Sequence, residues 1–205
     1  MKRFFILLST VGLIFASDLI QYDKVENLAQ RFVNEQFGFH YLDEVITYYG
    51  IDELPGAYAM IFRNRENDPL TIVMGARYTT SPINEISRVL PRSQTVFDKI
   101  LQKARTLADC EPEFQKIYYF GPGEEYCAFN IGDKDILINA NTFRTIEKSF
   151  LLRNKPEPNQ ELELLTRQKW NKYFTTPNFS TRQDSIFLMF LLLIGPMVVH
   201  QLRHP

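Results

Sequence analysis

The sequence predicts an α+β domain: a mostly antiparallel sheet with helices packed on one face, followed by a C-terminal hydrophobic helix. Three patterns carry this reading. Apolar residues recur at helical spacing in two separate stretches, short β-rich runs punctuated by turn formers follow each of them, and the order of a strand pair, a helix and then a run of strands is that of an α+β domain. With 205 residues, 45% of them hydrophobic and 14% aromatic, the chain can bury a sizeable core, enough for one domain with appendages.

The first helix is predicted from Asp18 to Phe37, where Val25, Leu28, Ala29, Phe32 and Val33 fall on one face and Gly38 stops the pattern. After the turn-rich joint GIDELPG, the runs AYAMIFR and LTIVMGARY flank NRENDP, whose Asn, Asp and Pro are turn formers, so they read as a hairpin. The stretch SQTVFDKILQKARTLADC places Val96, Ile100, Leu101, Ala104 and Leu107 on one stripe behind a Ser93 cap, a second helix. In KIYYFGPGEEYCAFNIGDKDILINAN, the turns GPGEE and GDKD separate three short strands of a meander. RNKPEPNQ has the charged, proline-spaced composition of a linker, which puts the domain at 18–152 and a linker with the helix-compatible ELELLTRQKWNKYF at 153–185.

This order of a leading helix, GAYAMIFRNRENDPLTIVMGARYTTSPI, a helix and the YYFGPGEEYCAFNIGDKDILINA meander resembles the cystatin-like prodomain of streptopain-type cysteine peptidases and their stand-alone inhibitor relatives. The resemblance covers roughly Asp18 to Leu152 and rests on element order, without a shared motif. It implies a non-catalytic module that packs against a papain-like cysteine peptidase. ELELLTRQKWNKYF, with Trp170, is similar to the junction where such prodomains meet their enzyme. No Cys follows it and too few residues remain for a papain-like domain, so the chain is at most the non-catalytic part.

The N-terminus bears on compartment. MKRFFILLSTVGLIFASDLI has cations at Lys2 and Arg3, an apolar stretch from Phe4 to Phe15 and small residues at Ala16 and Ser17, the order of a secretory signal peptide over 1–17. An uncleaved membrane anchor is the alternative. Export points to a periplasmic, cell-surface or secreted protein. In an oxidising compartment the pair Cys110 and Cys127 reads as a disulfide, whose closure would contribute about 3 kcal/mol in the chain-entropy model. Two separately buried thiols are the other reading.

The tail SIFLMFLLLIGPMVVHQLRHP carries fourteen uncharged residues from Ile186 to Val199. As a helix they span about 21 Å, short of the ~30 Å hydrocarbon core. The run has no polar face, lies beyond a linker and ends at Arg203, which favours a short membrane helix over 186–202; a helix packed on the domain or a partner and a tail left by truncation are the alternatives.

Candidate chemistry is thin. A net charge of -1, with no basic stripe interleaved with aromatics, argues against nucleic acid as a partner. Covalent hydrolysis needs a nucleophile, a base and an orienting group. His40 is the only histidine of the expected domain, and Cys127 lies in a predicted strand whose neighbours Glu124 and Glu125 would raise its pKa. The two cysteines and three scattered histidines have no zinc-site spacing, and no cofactor motif is present: GPGEE has acids where a phosphate would sit. The acidic clusters DEVITYYGIDE and NRENDP read as solvated surface, since spacing cannot place two carboxylates across a cleft. Tyr48, Tyr49, Tyr118, Tyr119 and Phe120 could line a ligand groove, but alternating strand aromatics are read here as core. Asn178 heads a glycosylation sequon. The expectation is an exported, non-enzymatic binding module, prodomain-like or inhibitor-like and tethered to the membrane. A small secreted hydrolase with an unrecognised site, or a structural surface protein, is the alternative.

Overall fold

The computed structural model describes residues 18–132, 134–153, 160–176 and 179. The signal peptide, the sequon Asn178 and the apolar run 186–202 lie outside the described residues. Among those described, no helix is long and apolar enough to cross a membrane.

The chain is α+β, and its sheet has eight strands in the order β4-β3-β2-β1-β5-β6-β7-β8. The first half is helix α1 (Tyr22–Phe37) and the strands β1 (Tyr41–Tyr49), β2 (Pro55–Arg63), β3 (Pro69–Gly75) and β4 (Ile83–Ser87). The second half repeats the plan with α2 (Arg92–Thr95) and α3 (Phe97–Arg105), then β5 (Glu113–Tyr119), β6 (Glu125–Ile131), β7 (Lys134–Asn139) and β8 (Thr145–Glu147). Two further helices follow, α4 (Lys148–Arg153) and α5 (Gln160–Thr175). All neighbouring strands are antiparallel except β1 and β5, which run parallel and pair only at Tyr48 with Ile117 and Tyr49 with Tyr118.

Several elements form close to where the residue pattern places them, although the second helix is split into α2 and α3 and ends before Leu107, which is exposed. Val25, Leu28, Ala29, Phe32 and Val33 are all buried on the inner face of α1. The β2–β3 hairpin closes on Asn64, whose side-chain oxygen accepts the backbone N–H of Glu66 at 2.9 Å and of Asp68 at 2.8 Å, while Asn67 takes the left-handed conformation at φ 69°. The meander β5–β6–β7 matches its turns, with Gly123 at φ 79° and Gly132 at φ 67°. The expected Ser93 cap is a different device. Ser93 lies inside α2, and its backbone N–H donates to the Glu125 carboxylate at 2.8 Å. Strands β1, β4 and β8 had no counterpart in the sequence reading.

The helices do not share one face of the sheet, which corrects that expectation. On β2, Tyr58, Met60 and Phe62 join α1 in one cluster, whereas Ala57 and Ala59 face the other way with Tyr48 and Val73. Ile117 contacts this second cluster and also the one that α3 covers with Val96, Ile100 and Ala104 above Cys127, Phe129, Ile136 and Ile138. So α1 covers one face of the first half, and α3 covers the opposite face of the second half. A half-turn about an axis along the strands, between β1 and β5, keeps those strands parallel and exchanges the faces. The topology is therefore that of two α-plus-four-strand halves related in this sense.

The boundary at 152 is also corrected, because α5 completes the core of the first half. Trp170 is fully buried among Met60, Met74, Ile72 and Tyr58, and its indole N–H donates to the Thr80 carbonyl at 2.7 Å. Gly75 makes room for it: a Cβ there would overlap the Ser81 carbonyl and the Thr80 hydroxyl and lie 3.2 Å from the indole ring. Arg31 of α1 donates to the Tyr173 carbonyl at 2.6 Å, and Arg167 pairs with Asp18 at 3.3 Å. A signal was present in the sequence, since a lone Trp inside a helical pattern more often fills a core than a linker.

Trp170→Ala is expected to destabilise the chain by about 3–5 kcal/mol, the range for emptying a buried aromatic site, measured by denaturant titration. An unchanged midpoint would separate α5 from the domain core.

Candidate functional site

Each half leaves one face of its strands uncovered by α1 or α3, and a cavity lies on each, bordered by α2 in the first and by Lys148 of α4 in the second. The first, about 420 Å³, opens on the β1–β4 face opposite α1 and is lined by Tyr48, Thr71, Val73, Glu85, Glu125 and the connection Val89–Arg92, among others. The second, about 430 Å³, lies on the β5–β7 face opposite α3 and is lined by Glu53, Lys116, Tyr118, Asn130, Asp135 and Lys148, among others.

The second cavity is electrostatically closed. Arg77 grips the β1–β2 turn through Asp52 at 2.7 Å, the Pro55 carbonyl at 2.7 Å and the Leu54 carbonyl at 2.9 Å. This holds Glu53 in the left-handed region at φ 66°, reaching across to the other half. There its carboxylate accepts the Tyr118 hydroxyl at 2.5 Å and pairs with Lys116 at 2.6 Å and Lys148 at 2.5 Å. Lys116 also lies 4.7 Å from the centre of the Tyr49 ring. Partial burial alone would raise the Glu53 pKa; the two ammoniums and the phenol outweigh it and hold the carboxyl at about 2, below its ordinary 4.5.

The first cavity has similar ingredients, with Arg92 in its lining but no ion pair to its carboxylates among the described residues. Glu125 is buried and spends one carboxylate oxygen on the Ser93 backbone N–H at 2.8 Å, a structural role that holds α2 in place. Glu85, on β4, makes no ion pair, and no Lys or Arg pairs with Glu125 among the described residues. Burial, with the Glu125 charge second, pushes the Glu85 carboxyl up. Around them the buried hydroxyls of Tyr48, Ser93 and Tyr119 have no partner in good hydrogen-bonding geometry, although Tyr119 lies beside Glu85, and Tyr48 beside Ser93 and Glu125. Tyr48 and Tyr119 stack with ring centres 5.1 Å apart, and burial raises both phenols. Thr71 donates to the Val89 carbonyl at 2.8 Å and so fixes the connection that forms the rim. Unpartnered polar atoms at full burial cost free energy, which makes this cluster the strongest candidate site of the described residues.

The residues singled out from sequence do not converge. His40 stands half-buried just before β1, with Nδ1 3.2 Å from the Gly38 carbonyl. Cys127 is buried on β6 beneath α3, and burial, assisted by Glu125, pushes its thiol up to about 12. No hydrogen bond or ion pair links the two. Cys110 is exposed, in the segment between α3 and β5, and both cysteines are free, so the expected Cys110–Cys127 bridge is not formed: one sulfur faces solvent while the other points under a helix. No group of three or more His, Cys, Asp or Glu able to hold a metal occurs among the described residues. The tyrosines serve two ends at once: Tyr48 and Tyr118 are buried core residues, and each also lines a cavity. Glu85 and Ser93 carried no sequence signal as site residues. The Tyr-Tyr pair that closes both β1 and β5 was the trace available.

No family model, curated protein or solved structure matches this chain. The functional reading therefore rests on the chain's own chemistry.

Two measurements probe this description. Native alkylation followed by mass spectrometry should label Cys110 at once and Cys127 only after unfolding; an intact cross-linked pair of peptides would contradict the free thiols. Because Glu53 is held at about 2 against an ordinary 4.5, its contribution to stability is complete above pH 4.5 and is lost as pH falls towards 2. Glu53→Gln should therefore cost stability at neutral pH and flatten the fall of the thermal midpoint between these values; an identical acid profile would show that the ion cluster contributes nothing.

Proposed function

We propose that this chain is a non-catalytic binding module acting outside the cytoplasm, with the Glu85–Glu125 cavity as its recognition site. The observation that carries this reading is a buried Tyr48 hydroxyl without a hydrogen-bond partner beside two unpaired carboxylates in one cavity, while His40 and Cys127 lie apart from it. Cys127 is sealed under α3 with a raised pKa, and His40 faces a backbone carbonyl. Export is supported by the composition of residues 1–17, and a membrane tether by the apolar run 186–202. A cystatin-like, prodomain-like or inhibitor-like use against a papain-like cysteine peptidase belongs to the same proposal, supported by a leading helix laid across an antiparallel meander.

One observation favours a second reading, a small secreted hydrolase: two carboxylates share one cavity and Glu85 is shifted upward, as a general acid would be. The purified full-length chain separates the two. It is expected to show no peptidase or glycosidase turnover and to bind a papain-like cysteine peptidase of the same organism. Turnover abolished by Glu85→Gln or Glu125→Gln would establish the hydrolase. Catalysis lost in His40→Ala or Cys127→Ala would equally overturn the binding module, and no binding to any such peptidase would remove the inhibitor-like use.

A further inference from the structure

The two cavities sit on opposite faces in corresponding positions of the two halves, and one of them shows what such a site holds. In the second, the first tyrosine-facing element is Glu53, contributed by the β1–β2 turn of the other half; its charge is met by the ammonium groups of Lys116 at 2.6 Å and Lys148 at 2.5 Å. In the first, Glu125 opens β6 just after the β5–β6 turn, the counterpart of Pro55 rather than of Glu53, and lies beside Tyr48 as Glu53 meets Tyr118. Glu85 adds a second carboxylate there, yet no lysine of the described residues pairs with either.

We propose that the Glu85–Glu125 cavity takes a primary ammonium group on an alkyl stem, as at the tip of a lysine side chain. The proposal rests on the binding-module reading above and names the ligand chemistry of that site. Three features define the fit. Neither carboxylate is in an ion pair among the described residues, although Arg92 shares the lining, and a buried carboxylate without a paired cation is costly. Tyr48, fully buried, lines the cavity with a hydroxyl that lacks a hydrogen-bond partner, so with Glu85 and Glu125 it offers a third oxygen acceptor to the three ammonium protons. Val73, Val89 and Leu90 line the same cavity and offer an apolar wall to the methylene stem. With about 420 Å³ the space exceeds what one side-chain tip requires. The cation that meets Glu53 in the other cavity is likewise a primary ammonium, from Lys116 and Lys148.

The test is titration of the isotopically labelled full-length chain, followed by NMR, with Nα-acetyl-lysine methylamide. Its comparison ligands are the Nε-acetylated analogue, the norleucine analogue, the arginine analogue and pentylammonium. Saturable shifts are expected at Glu85, Glu125 and Thr71 with the lysine amide, and none with the acetylated or norleucine analogues. Glu85→Gln should weaken binding by about tenfold or more, as expected when a charged hydrogen-bond partner is neutralised. Its thermal midpoint reports whether it folds, and the ligand comparison on the wild-type chain decides the matter without it. Pentylammonium binding as tightly as the lysine amide assigns the site to free amines, and tighter binding of the amide assigns it to a lysine presented by a polypeptide. Norleucine binding equal to lysine, tighter arginine binding, or full affinity in folded Glu85→Gln overturns the proposal. Enzymatic turnover would end the binding-module reading, while these titrations would still show whether the ammonium binds.

Discussion

The two-residue parallel contact between β1 and β5 is the constraint on which the remaining structure depends. Two antiparallel meanders meet there with little backbone pairing, only Tyr48 with Ile117 and Tyr49 with Tyr118, so side chains must supply the rest of the joint. They do so with two Tyr-Tyr pairs. Tyr48 stacks on Tyr119 on one face, and Tyr49 joins Tyr118 in a cluster on the other. Because successive residues of a strand point to opposite faces, each pair necessarily contributes one ring to each side.

That joint determines where helices can lie and where cavities remain. Parallel alignment of β1 and β5 turns equivalent surfaces of the two halves to opposite faces, so α1 and α3 end on opposite sides and each half keeps one uncovered surface. On the β5–β7 side the polar groups at this surface neutralise one another through Glu53, Lys116 and Lys148. On the β1–β4 side Glu85 and Glu125 form no ion pair among the described residues, and the buried hydroxyls of Tyr48, Ser93 and Tyr119 have no partner in good hydrogen-bonding geometry. Similar surroundings with different charge balance separate a structural cluster from a recognition site.

Local patterning made much of the fold legible. The 3.6-residue period of α1, the Asn-rich turn between β2 and β3, and the Gly turns of the β5–β7 meander all reflect short-range sterics and side-chain capping. Strand β1 escaped notice because its residues are mostly half-exposed and a bulge near Asp43 breaks the alternation that marks a strand. Strands β4 and β8 are short edges, too brief to show a period. The membership of α5 in the core was hidden for another reason: Trp170 docks on Thr80, ninety positions earlier in the chain, and no local signal encodes such a contact.

The sequence by itself determined the α+β class, the principal elements and the apolar residues that fill them, since these follow from propensities and periods within a few residues. Only the folded chain decides the faces on which the helices lie, the separation of the two thiols and the clustering of Ser93 and Tyr119 with Glu85, Glu125 and Tyr48, the three that line the cavity. These five residues come from β4, β6, β1, α2 and β5, elements brought together only when the halves join at β1 and β5. Charge balance at such a place is a sum over neighbours distant in sequence, and the same Glu-and-Tyr vocabulary yields a closed ion cluster on one face and an unpaired acidic site on the other.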